Sequence, residues 1–453
     1  MDVSIALFTA NLRLRDNPVL RGALDAARRV VPLFVVDSGI VERGFAVPNR
    51  AAFLADALAE LDEALRERGG RLVVRHGDVV TETARVAAET GAGEVHLAAG
   101  VSEYADRRER RLRAALEADG RALVVHDAVL TVVPSGVLTP TGKDHFAVFT
   151  PYFRRWERQR VRRPLPAPRS VPVPERVRSE PLPDAAAIAG GERSPGLARG
   201  GEATGRKRLT AWMRQGLGDY HALADDLAAD ATSRLSPHLH FGCLSPTDVL
   251  HAARRRGGPG ADDFVRQLAW RDFHHQVLAA RPAAGRHDYR GHGDRWRNDP
   301  AAFDAWREGR TGFPVVDAAM RQLRHEGWMH GRARLLVASF LSKTLYLDWR
   351  LGARHFLDLL VDGDLANNQL NWQWAAGTGT DTRPNRVLNP LTQARRFDPN
   401  GDYVRRWVPE LAEIPGRKAH QPWRLPEPER PADYPEPIVD LATGARRFQR
   451  ARG

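Results

Sequence analysis

The segment Asn367–Trp374, NNQLNWQW, packs three Asn and two Trp into one short run, and a loop of Gly, Thr and Asp (AAGTGTD) follows it. Asn is a poor helix former because its amide competes for backbone hydrogen bonds. A single Trp is normally core filler. Several indoles among amides and charges point further. Aromatic faces stack on bases and planar cofactors, and indole can be oxidised. Just upstream, Asp362 and Asp364 resemble the start of a calcium loop, but the remaining spacing does not fit an EF-hand. Paired carboxylates could do acid–base work. More simply, Asp362 could neutralise a buried Arg.

Three further stretches carry chemistry. In FVRQLAWRDFHHQVL, from Phe264, helical spacing puts Gln267, Trp270, Arg271 and His274 on one face. That is not a core stripe, and it could line a pocket. His274 and His275 lack an HExxH context, so no metal is expected. In DATSRLSPHLHFGCLSP, from Asp230, Ser236-Pro237 and Ser245-Pro246 each read as an N-cap followed by Pro at the first helical position. Thr232, Ser233, Arg234 and Ser236 then form either a phosphate seat or a plain capped helix beside a surface Arg. In GWMHGRARLLVASFLSKTLYLDWR, Trp328, Arg332, Arg334 and Lys343 accompany a solidly apolar helix.

The elements that must position these residues fall into two kinds. VSIALFT, VVPLFVVD, RLVVRHGD, EVHLAAG and ALVVHDA predict strands, with RAAFLADALAELDEALRERG and ADRRERRLRAALEADG as helices between them. That alternation predicts a Rossmann-like parallel α/β sheet, with ligands bound beyond the strands' carboxyl ends. Neither GxGxxG after the first strand nor GxxxxGK[ST] occurs, so a standard dinucleotide or nucleoside-triphosphate site is not supported. Eight Pro fall between Val161 and Gly200, which reads as an extended connector. The remainder is helical. The expected division is 1–130 α/β, 131–204 linker, 205–423 all-α, and 424–453 a loose tail.

The chain has 453 residues, enough for two or three domains. Its one cysteine, Cys243, excludes an internal disulfide framework and a Cys-based zinc site, and suits a reducing cytosol. The first residues do not form a signal peptide, and no apolar run of about 18 residues predicts a membrane span. A net charge of +12 suits a polyanionic partner, but equally an Arg-rich surface with no such partner. Ten of the eleven Trp follow residue 200, and seven lie between Trp270 and Trp374.

TSRLSPHL, LAWRDF, TGFPVVDAAMRQL, DWR and DGDLANNQLNWQWAAGTGTD, in this order behind an α/β domain, resemble the photolyase/cryptochrome flavoprotein family over roughly Met1–Trp423. The nearest branch is the class I cyclobutane pyrimidine dimer photolyases. The resemblance implies an α/β antenna-chromophore domain and a helical domain holding FAD. It implies a carbon–carbon lyase in which reduced FAD, excited by blue light, gives an electron to a pyrimidine dimer in UV-damaged DNA. A cytoplasmic monomer is expected. Tyr220, Thr232, Ser233, Arg234, Leu235 and Ser236 correspond to FAD contacts, the Thr/Ser group lying on the phosphates. Arg271, Trp328, Arg334, Asp362, Asp364 and Asn368 correspond to further flavin-pocket positions. A neutral amide such as Asn368 can donate or accept, so it tolerates several flavin redox states. Trp372, Trp349 and Trp296 correspond to an electron-transfer triad from flavin side to surface. Trp270 and Trp374 correspond to lesion-pocket walls, where extrusion of the damaged bases is a property of the family. Arg332, Lys343, Arg395 and Arg396 are expected phosphate contacts.

Two positions depart from that pattern. Gln267 stands where the dimer enzymes usually carry Glu, and Gly331 where they usually carry Asn. Gln can still donate to a thymine carbonyl but supplies no proton. Relatives repairing (6-4) photoproducts pair Gln with His, which Gly331 does not provide. Phe264 also replaces a frequent pocket Trp. These departures leave a cryptochrome-like photoreceptor as the alternative. Trp270, Trp374, the basic charge and the lack of a long C-terminal extension favour repair. Phe34, Asp37, Arg50 and Glu103 resemble positions around a deazaflavin-type antenna, with folate as the competitor.

Overall fold

All five predicted strands pair into one parallel sheet in the computed structural model, which describes residues 1–452. β1 (Val3–Phe8), β2 (Arg29–Asp37), β3 (Val73–Gly77), β4 (Glu94–Ala98) and β5 (Ala122–His126) lie in the order β3-β2-β1-β4-β5. Every residue of β1 is buried. That explains why VSIALF reads as an unbroken apolar run: helices cover both faces of a parallel sheet. Ile5 stands opposite Val31 on one side and Val95 on the other. The strand order reverses between β1 and β4, the switch point at which such sheets open a crevice.

The helix α1 (Pro18–Ala26) is capped by Asn17, whose side chain accepts from the Val19 and Leu20 amides. It crosses His96 of β4 and His126 of β5. The His96 Nδ1 and His126 Nε2 atoms share one hydrogen bond at 2.9 Å. A Cβ on Gly22 would stand 2.5 Å from His126 Cε1, so glycine is what lets the helix come this close. Burial pushes both imidazoles down to about 4.

The chain divides into two compact units. The first is Met1–Arg193, Ala198–His221 and Ser233–Pro282; the second is Ser194–Leu197, Ala222–Thr232 and the chain from Ala283 onward. The first helices after the connector therefore belong with the sheet, a different division from the expected limit at 205. Single polar residues hold them there. Glu202 accepts from the Leu14 and Arg15 amides at 2.6 and 3.1 Å. Buried Arg13 donates to the Gly242 carbonyl at 2.9 Å. Gly242 has φ +67, and a Cβ there would strike the Ala10 carbonyl oxygen at 1.9 Å. The Pro-rich connector is extended, as expected, and is pinned along the first unit: Val171 N donates to Arg68 O, and Glu180 N to Val74 O. The long helix α2 (Pro259–Ala280) is anchored by Asp272. One of its carboxylate oxygens accepts from the Val132 and Val133 amides at 2.9 Å and from Trp156 Nε1 at 2.8 Å.

The second unit is helical. α3 (Gly331–Ser339), a π-helical turn at Phe340–Thr344, α4 (Trp349–Leu359) and α5 (Leu365–Ala376) surround a core that includes Trp306, Leu336, Phe340, Trp349 and Phe356. The tail is not loose, contrary to its Pro-rich composition. Tyr434 is buried and donates from its hydroxyl to Asp317 Oδ2 at 2.5 Å. Ile438 N donates to Thr311 O, and the chain ends in α6 (Leu441–Arg452), whose Phe448 is fully buried. Asp317 also accepts from Thr311 and Gly312, yet burial still pushes its carboxyl up to about 6. No helix among the described residues is long and apolar enough to cross a membrane.

The histidine pair has a consequence in acid. In the unfolded chain each imidazole takes a proton near 6.5, whereas the folded chain resists protonation down to about 4. The stability this represents is present above 6.5 and is lost as pH falls from there toward 4. The melting temperature should therefore fall steeply across that window, and His126→Gln should flatten the slope. A melting temperature flat across the window would contradict the pair's neutral burial.

Candidate functional site

α5 carries the Asn/Trp cluster, and its caps explain why so many poor helix formers still form a helix. Asp364 caps the start, accepting from the Asn367 amide and from Asn367 Nδ2, both at 2.7 Å. Gly377 closes the end at φ +79. Asn368 is buried and donates from Nδ2 to Ala353 O of α4 at 3.0 Å. The donor side of the amide is thus anchored to protein, and the Oδ1 acceptor is the pole left to meet a ligand N–H. Trp372 lies one helical turn beyond Asn368 on the same face and is buried. Trp374 is two residues further, on the opposite side, and is only half-buried. Gln373 between them bonds Ala284 O at 2.6 Å and Tyr289 N at 2.7 Å, which fixes the helix against its neighbours.

Asp362 does what the simpler alternative expected. Arg334 Nη2 reaches its two oxygens at 2.8 and 3.1 Å, while Arg334 Nε donates to Met329 O at 2.8 Å. The Asp362 side chain is only 3% exposed. With Asp362 paired and Asp364 capping, neither carboxylate is placed for acid–base work. Trp328 is buried, and Arg334 lies over its ring at 5.9 Å.

The three tryptophans expected to form an electron-transfer triad are linked through backbone and helix contact. A Cβ on Gly352 would come within 2.2 Å of the Trp372 ring, so Trp372 rests directly on α4. Trp349 sits three residues earlier on that helix, one turn away on the same side. Its Nε1 donates to Asp288 Oδ1 at 2.8 Å. Leu347 pairs by an isolated bridge with Arg297, the residue after Trp296. Trp296 is half-buried, nearest the surface of the three. Trp306, not among the sequence candidates, also touches Trp372, with ring centroids 5.9 Å apart.

Two expected phosphate contacts are corrected. Lys343 is buried and donates to Pro384 O and Arg386 O at 2.7 and 2.8 Å, so it cannot reach a DNA backbone. Desolvation pushes its ammonium down to about 8. Arg332 is held bidentately by Asp225 at 2.6 and 2.7 Å and lies over Phe397, so its charge is already neutralised. Arg395 and Arg396 are exposed. Gly331, the first residue of α3, is exposed, and a Cβ there would meet nothing within 4 Å. His330 was missed. It caps α3 through Nδ1, burial pushes it down to about 4, and its buried Nε2 has no partner among the described residues. The signal available was a histidine within WMHGRAR, between Trp328 and Arg334.

In the first unit, Ser236 is not the N-cap expected of it. The single-turn helix Ser236–His240 is preceded by Leu235, so Pro237 is its second residue. Ser245 does cap the next helix, accepting from Thr247 N and Asp248 N. Arg234 adopts φ +50 and is followed by right-handed Leu235, an αL–αR succession that turns backbone N–H groups into an anion-binding concavity. Ser233 Oγ accepts from Leu235 N at 3.3 Å, and Ser233 O from Arg208 Nε at 2.8 Å. In the second unit, Thr232 Oγ1 is buried with no partner among the described residues. A concavity of N–H groups beside a serine hydroxyl is a donor set of the kind that phosphate oxygens accept from, so the residues of the first unit fit the phosphates of FAD.

On α2, Gln267 is exposed and Trp270 half-buried. One face of Trp270 is stacked on Phe149, centroids 3.7 Å apart and planes 5° from parallel. Arg271 bonds the carbonyls of Leu130 and Leu239, and His274 is buried core. Tyr220 packs edge-on against Trp212 and Phe264. At the carboxyl end of β2, Asp37 caps a short helix and accepts from the Tyr104 hydroxyl, and burial raises its carboxyl pKa. Phe34 and Arg50 are buried, the latter donating to Phe45 O at 3.1 Å. Glu103 is exposed and paired with Arg107. Tyr104 and Arg108 are the residues that sequence reasoning missed at this corner. They lie four apart in SEYADRR and so share a face, and Arg108 is half-buried near Asp37, its Nε without a partner among the described residues.

The fold and the site define a flavoprotein of two kinds of unit, a parallel α/β sheet and a helical body. Family models of DNA photolyase and of the FAD binding domain of DNA photolyase match residues 4–170 and 264–452. The chain belongs to the photolyase/cryptochrome family. It is 64% identical over 455 aligned residues to a deoxyribodipyrimidine photo-lyase of Streptomyces griseus, covering 100% of both chains. Among solved structures it resembles a bacterial class III photolyase from Agrobacterium tumefaciens (TM-score 0.91, 32% identity, 99% of this chain and 96% of the other). It also resembles a cryptochrome from Synechocystis (TM-score 0.92, 30% identity, 99% of each chain).

Removal of Arg334 tests the buried pair. Arg334→Leu should cost about 3 kcal/mol of unfolding free energy, because Asp362 is left buried without its cation. Arg334→Lys should recover only part of this, since a single ammonium cannot meet Asp362 and also replace the Arg334 Nε bond to Met329 O. Urea denaturation of the variants reads the difference, and an unchanged Arg334→Leu would show that Asp362 is not dependent on the pair.

Proposed function

We propose that this chain is a light-driven DNA repair enzyme, a carbon–carbon lyase that splits cyclobutane pyrimidine dimers with FAD as its cofactor. The observation that carries the reading is α5. One helix presents an anchored amide and a buried indole on one side and a half-exposed indole on the other, behind the Arg334–Asp362 pair. The name borne by the Streptomyces relative supports it.

Bound FAD, reduced and excited by blue light, supplies the electron that opens the cyclobutane ring. The chain's own residues bind, orient and resupply. In the second unit, Arg334, Asp362 and Asn368 would hold the flavin ring, with Trp328 and Asp364 supporting them, and Thr232 would bind phosphate. In the first, Ser233, Arg234, Leu235 and Ser236 bind the phosphates, with Tyr220 and Arg271 beside them. Arg334 and Asp362 together bring no net charge to the ring, and Asn368 adapts to a proton gained or lost there. Trp372, Trp349 and Trp296 pass an electron inward from the surface. In the second unit Trp374 stacks on an extruded base, and in the first Trp270 does so, as aromatic walls do for any base. Gln267 donates a hydrogen bond to a pyrimidine carbonyl. Exposed Arg395 and Arg396 bind the DNA backbone, which makes affinity fall with salt.

We assign the Asp37–Tyr104 corner, with Phe34, Arg50 and Glu103, to a deazaflavin-type antenna rather than a folate. Release of the bound chromophores and their absorption spectra distinguish the two. A monomer in a reducing cytosol is the matching setting: Cys243 is buried, and burial pushes its thiol up to about 12.

The test uses the purified protein with its flavin chemically reduced, mixed with a thymine-dimer oligonucleotide. Base absorbance should recover under blue light and not in the dark. Failure with flavin bound and reduced would favour the photoreceptor alternative. Trp296→Phe should slow photoreduction of oxidised flavin while sparing repair by flavin already reduced. Equal loss of both would refute the separation of roles. Gly331→Asn should fold normally, because space is open there, and should tighten dimer binding by up to about tenfold, the worth of one added hydrogen bond.

A further inference from the structure

The chain leaves the first unit at His221, runs through the second from Ala222 to Thr232, and re-enters the first at Ser233. Beyond Leu223 this strap is a series of turns. A few separate anchors set its place in the second unit. Asp225 receives Arg332 of α3, whose Nη2 reaches the two carboxylate oxygens at 2.6 and 2.7 Å and whose Nε reaches Oδ1 at 3.1 Å. The same guanidinium lies over the Phe397 ring, 4.6 Å from its centroid. Phe397 holds the strap a second time, because its carbonyl accepts from Leu227 N at 2.8 Å, and the Leu227 side chain is buried. Asp226 closes the next turn by accepting from the Ala228 and Ala229 amides at 2.8 and 3.0 Å, and Arg406 Nη2 donates to Ala228 O at 3.2 Å. The strap ends at Thr232, whose Oγ1 is buried with no partner among the described residues. Just before it, Asp230 reverses the chain at φ +49, a left-handed conformation that Asp tolerates better than most residues. The position of the Thr232 hydroxyl therefore follows the position of the strap.

From this arrangement we propose that Asp225 and Arg332 are positioning residues for the cofactor: they latch the strap closed, hold the Thr232 hydroxyl where phosphate binds, and set how fast bound FAD is released. The proposal rests on the reading of Thr232 as a phosphate contact given above. Neither residue touches the cofactor. Both act through the strap, and the step they control is a local opening in which Arg332 and Asp225 part, Leu227 lifts from Phe397, and Thr232 withdraws.

Three physical features favour a latch over an ordinary surface ion pair. First, Arg332 is fixed before it meets Asp225. Its amide donates to His330 Nδ1 at 3.1 Å and its guanidinium rests on Phe397, so little side-chain freedom is lost when the pair forms. Second, the pair can open. The Asp225 side chain is 50% exposed and that of Arg332 27%, so water takes up both charges when they part. The Arg334–Asp362 pair has no such freedom, because parting there strands a buried carboxylate. Third, turns held by few buried side chains are where local opening costs least. A ligand that binds only the closed strap must wait for that opening to leave, so whatever shifts the opening equilibrium shifts release by the same factor.

Flavin release from the full-length FAD-loaded protein tests the latch, read in the dark as the rise of free-flavin fluorescence after dilution. Asp225→Asn should speed release about five- to tenfold, the worth of one partly exposed pair. Arg332→Met, whose apolar stem still covers Phe397, should do the same, and the double variant should be no faster than either single one. Asp225→Glu should restore most of the wild-type rate. High salt should speed release more in the wild type than in Asp225→Asn, which has no pair left to screen. Hydrogen exchange at the Leu227 amide of the same protein should accelerate in step with release, while the melting temperature stays near that of the wild type. Leu227 exchange unchanged in Asp225→Asn would show that the pair does not hold the strap, and would overturn the proposal. Faster exchange with unchanged release would overturn it too, because the strap would then open without freeing the cofactor. A melting temperature that falls with the rise in release would assign the effect to general destabilisation and sink the latch. Each of these leaves flavin bound and the cofactor reading intact, whereas a wild type that binds no flavin removes that reading and the latch with it.

Discussion

α5 is held at each end by a buried arginine–aspartate pair, and the rest of the second unit's chemistry depends on those two clamps. An ionised carboxylate out of water persists only beside a cation and further hydrogen bonds. At the start of α5, Arg334 meets that requirement for Asp362, with its Nε fixed by Met329 O. The Asp362 carbonyl then receives Asp364 N at 2.6 Å, and Asp364 caps the helix. At the far end, Arg452 pairs with Asp294 and also donates to the carbonyls of Ala376 and Gly377, where a helix terminus welcomes positive charge. With both ends fixed, the rotation of α5 about its axis is fixed. Asn368 and Trp372 must face α4, and Trp374 must face away.

That rotation is useful only because α4 lets α5 approach. Gly352 is the residue on which Trp372 rests, and any side chain there would push the indole off. The proposed electron path thus owes the closeness of Trp372 to α4 to a missing side chain on one helix and a large one on the other. Trp349, at the first position of α4, is carried into line by the same helix, and its Nε1–Asp288 bond sets the ring's tilt. The chain that precedes α4 places the third tryptophan: Leu347 and Arg297 pair, and Trp296 lies beside that bridge against the Tyr346 ring. Distances along the path follow from backbone pairing and helix contact rather than from side chains finding each other.

How much of this the sequence disclosed depended on the kind of signal. The five strands were readable because buried parallel strands are short apolar runs bounded by polar turns. The Arg334–Asp362 pairing was among the alternatives, since a lone Asp beside apolar helices needs a cation. The tail was misread because proline-rich composition argues for looseness, whereas what folds it is a handful of separate anchors, Tyr434 on Asp317, Phe448 in a fully buried position and Arg452 on Asp294. No periodicity announces such anchors. The grouping of residues 198–221 and 233–282 with the sheet was hidden for the same reason, because Glu202 and Arg13 do it with isolated polar bonds. Lys343 was misplaced by its charge alone. Its neighbours, LLVASFLSKTLYL, already predicted a buried helix, and a Lys there must find carbonyls.

The two departures from the family pattern fall where the fold asks least. Gly331 is exposed with open space beside it, and Gln267 is exposed on a helix whose placement is set by Trp270 on Phe149 and by Asp272 beneath it. Neither residue supports a neighbour, so either can change without moving Arg334, Asn368 or the tryptophans. Residues facing inward on these two helices and on α4 have no such freedom: Arg334 pairs with a buried carboxylate, Asp272 gathers three donors, and Gly352 cannot gain an atom. A scaffold built in this way keeps the placement of its inward-facing residues constant while its outward-facing contacts vary. On the proposed reading, variation at Gln267 and Gly331 therefore bears on what is bound, and not on the placement of Trp372.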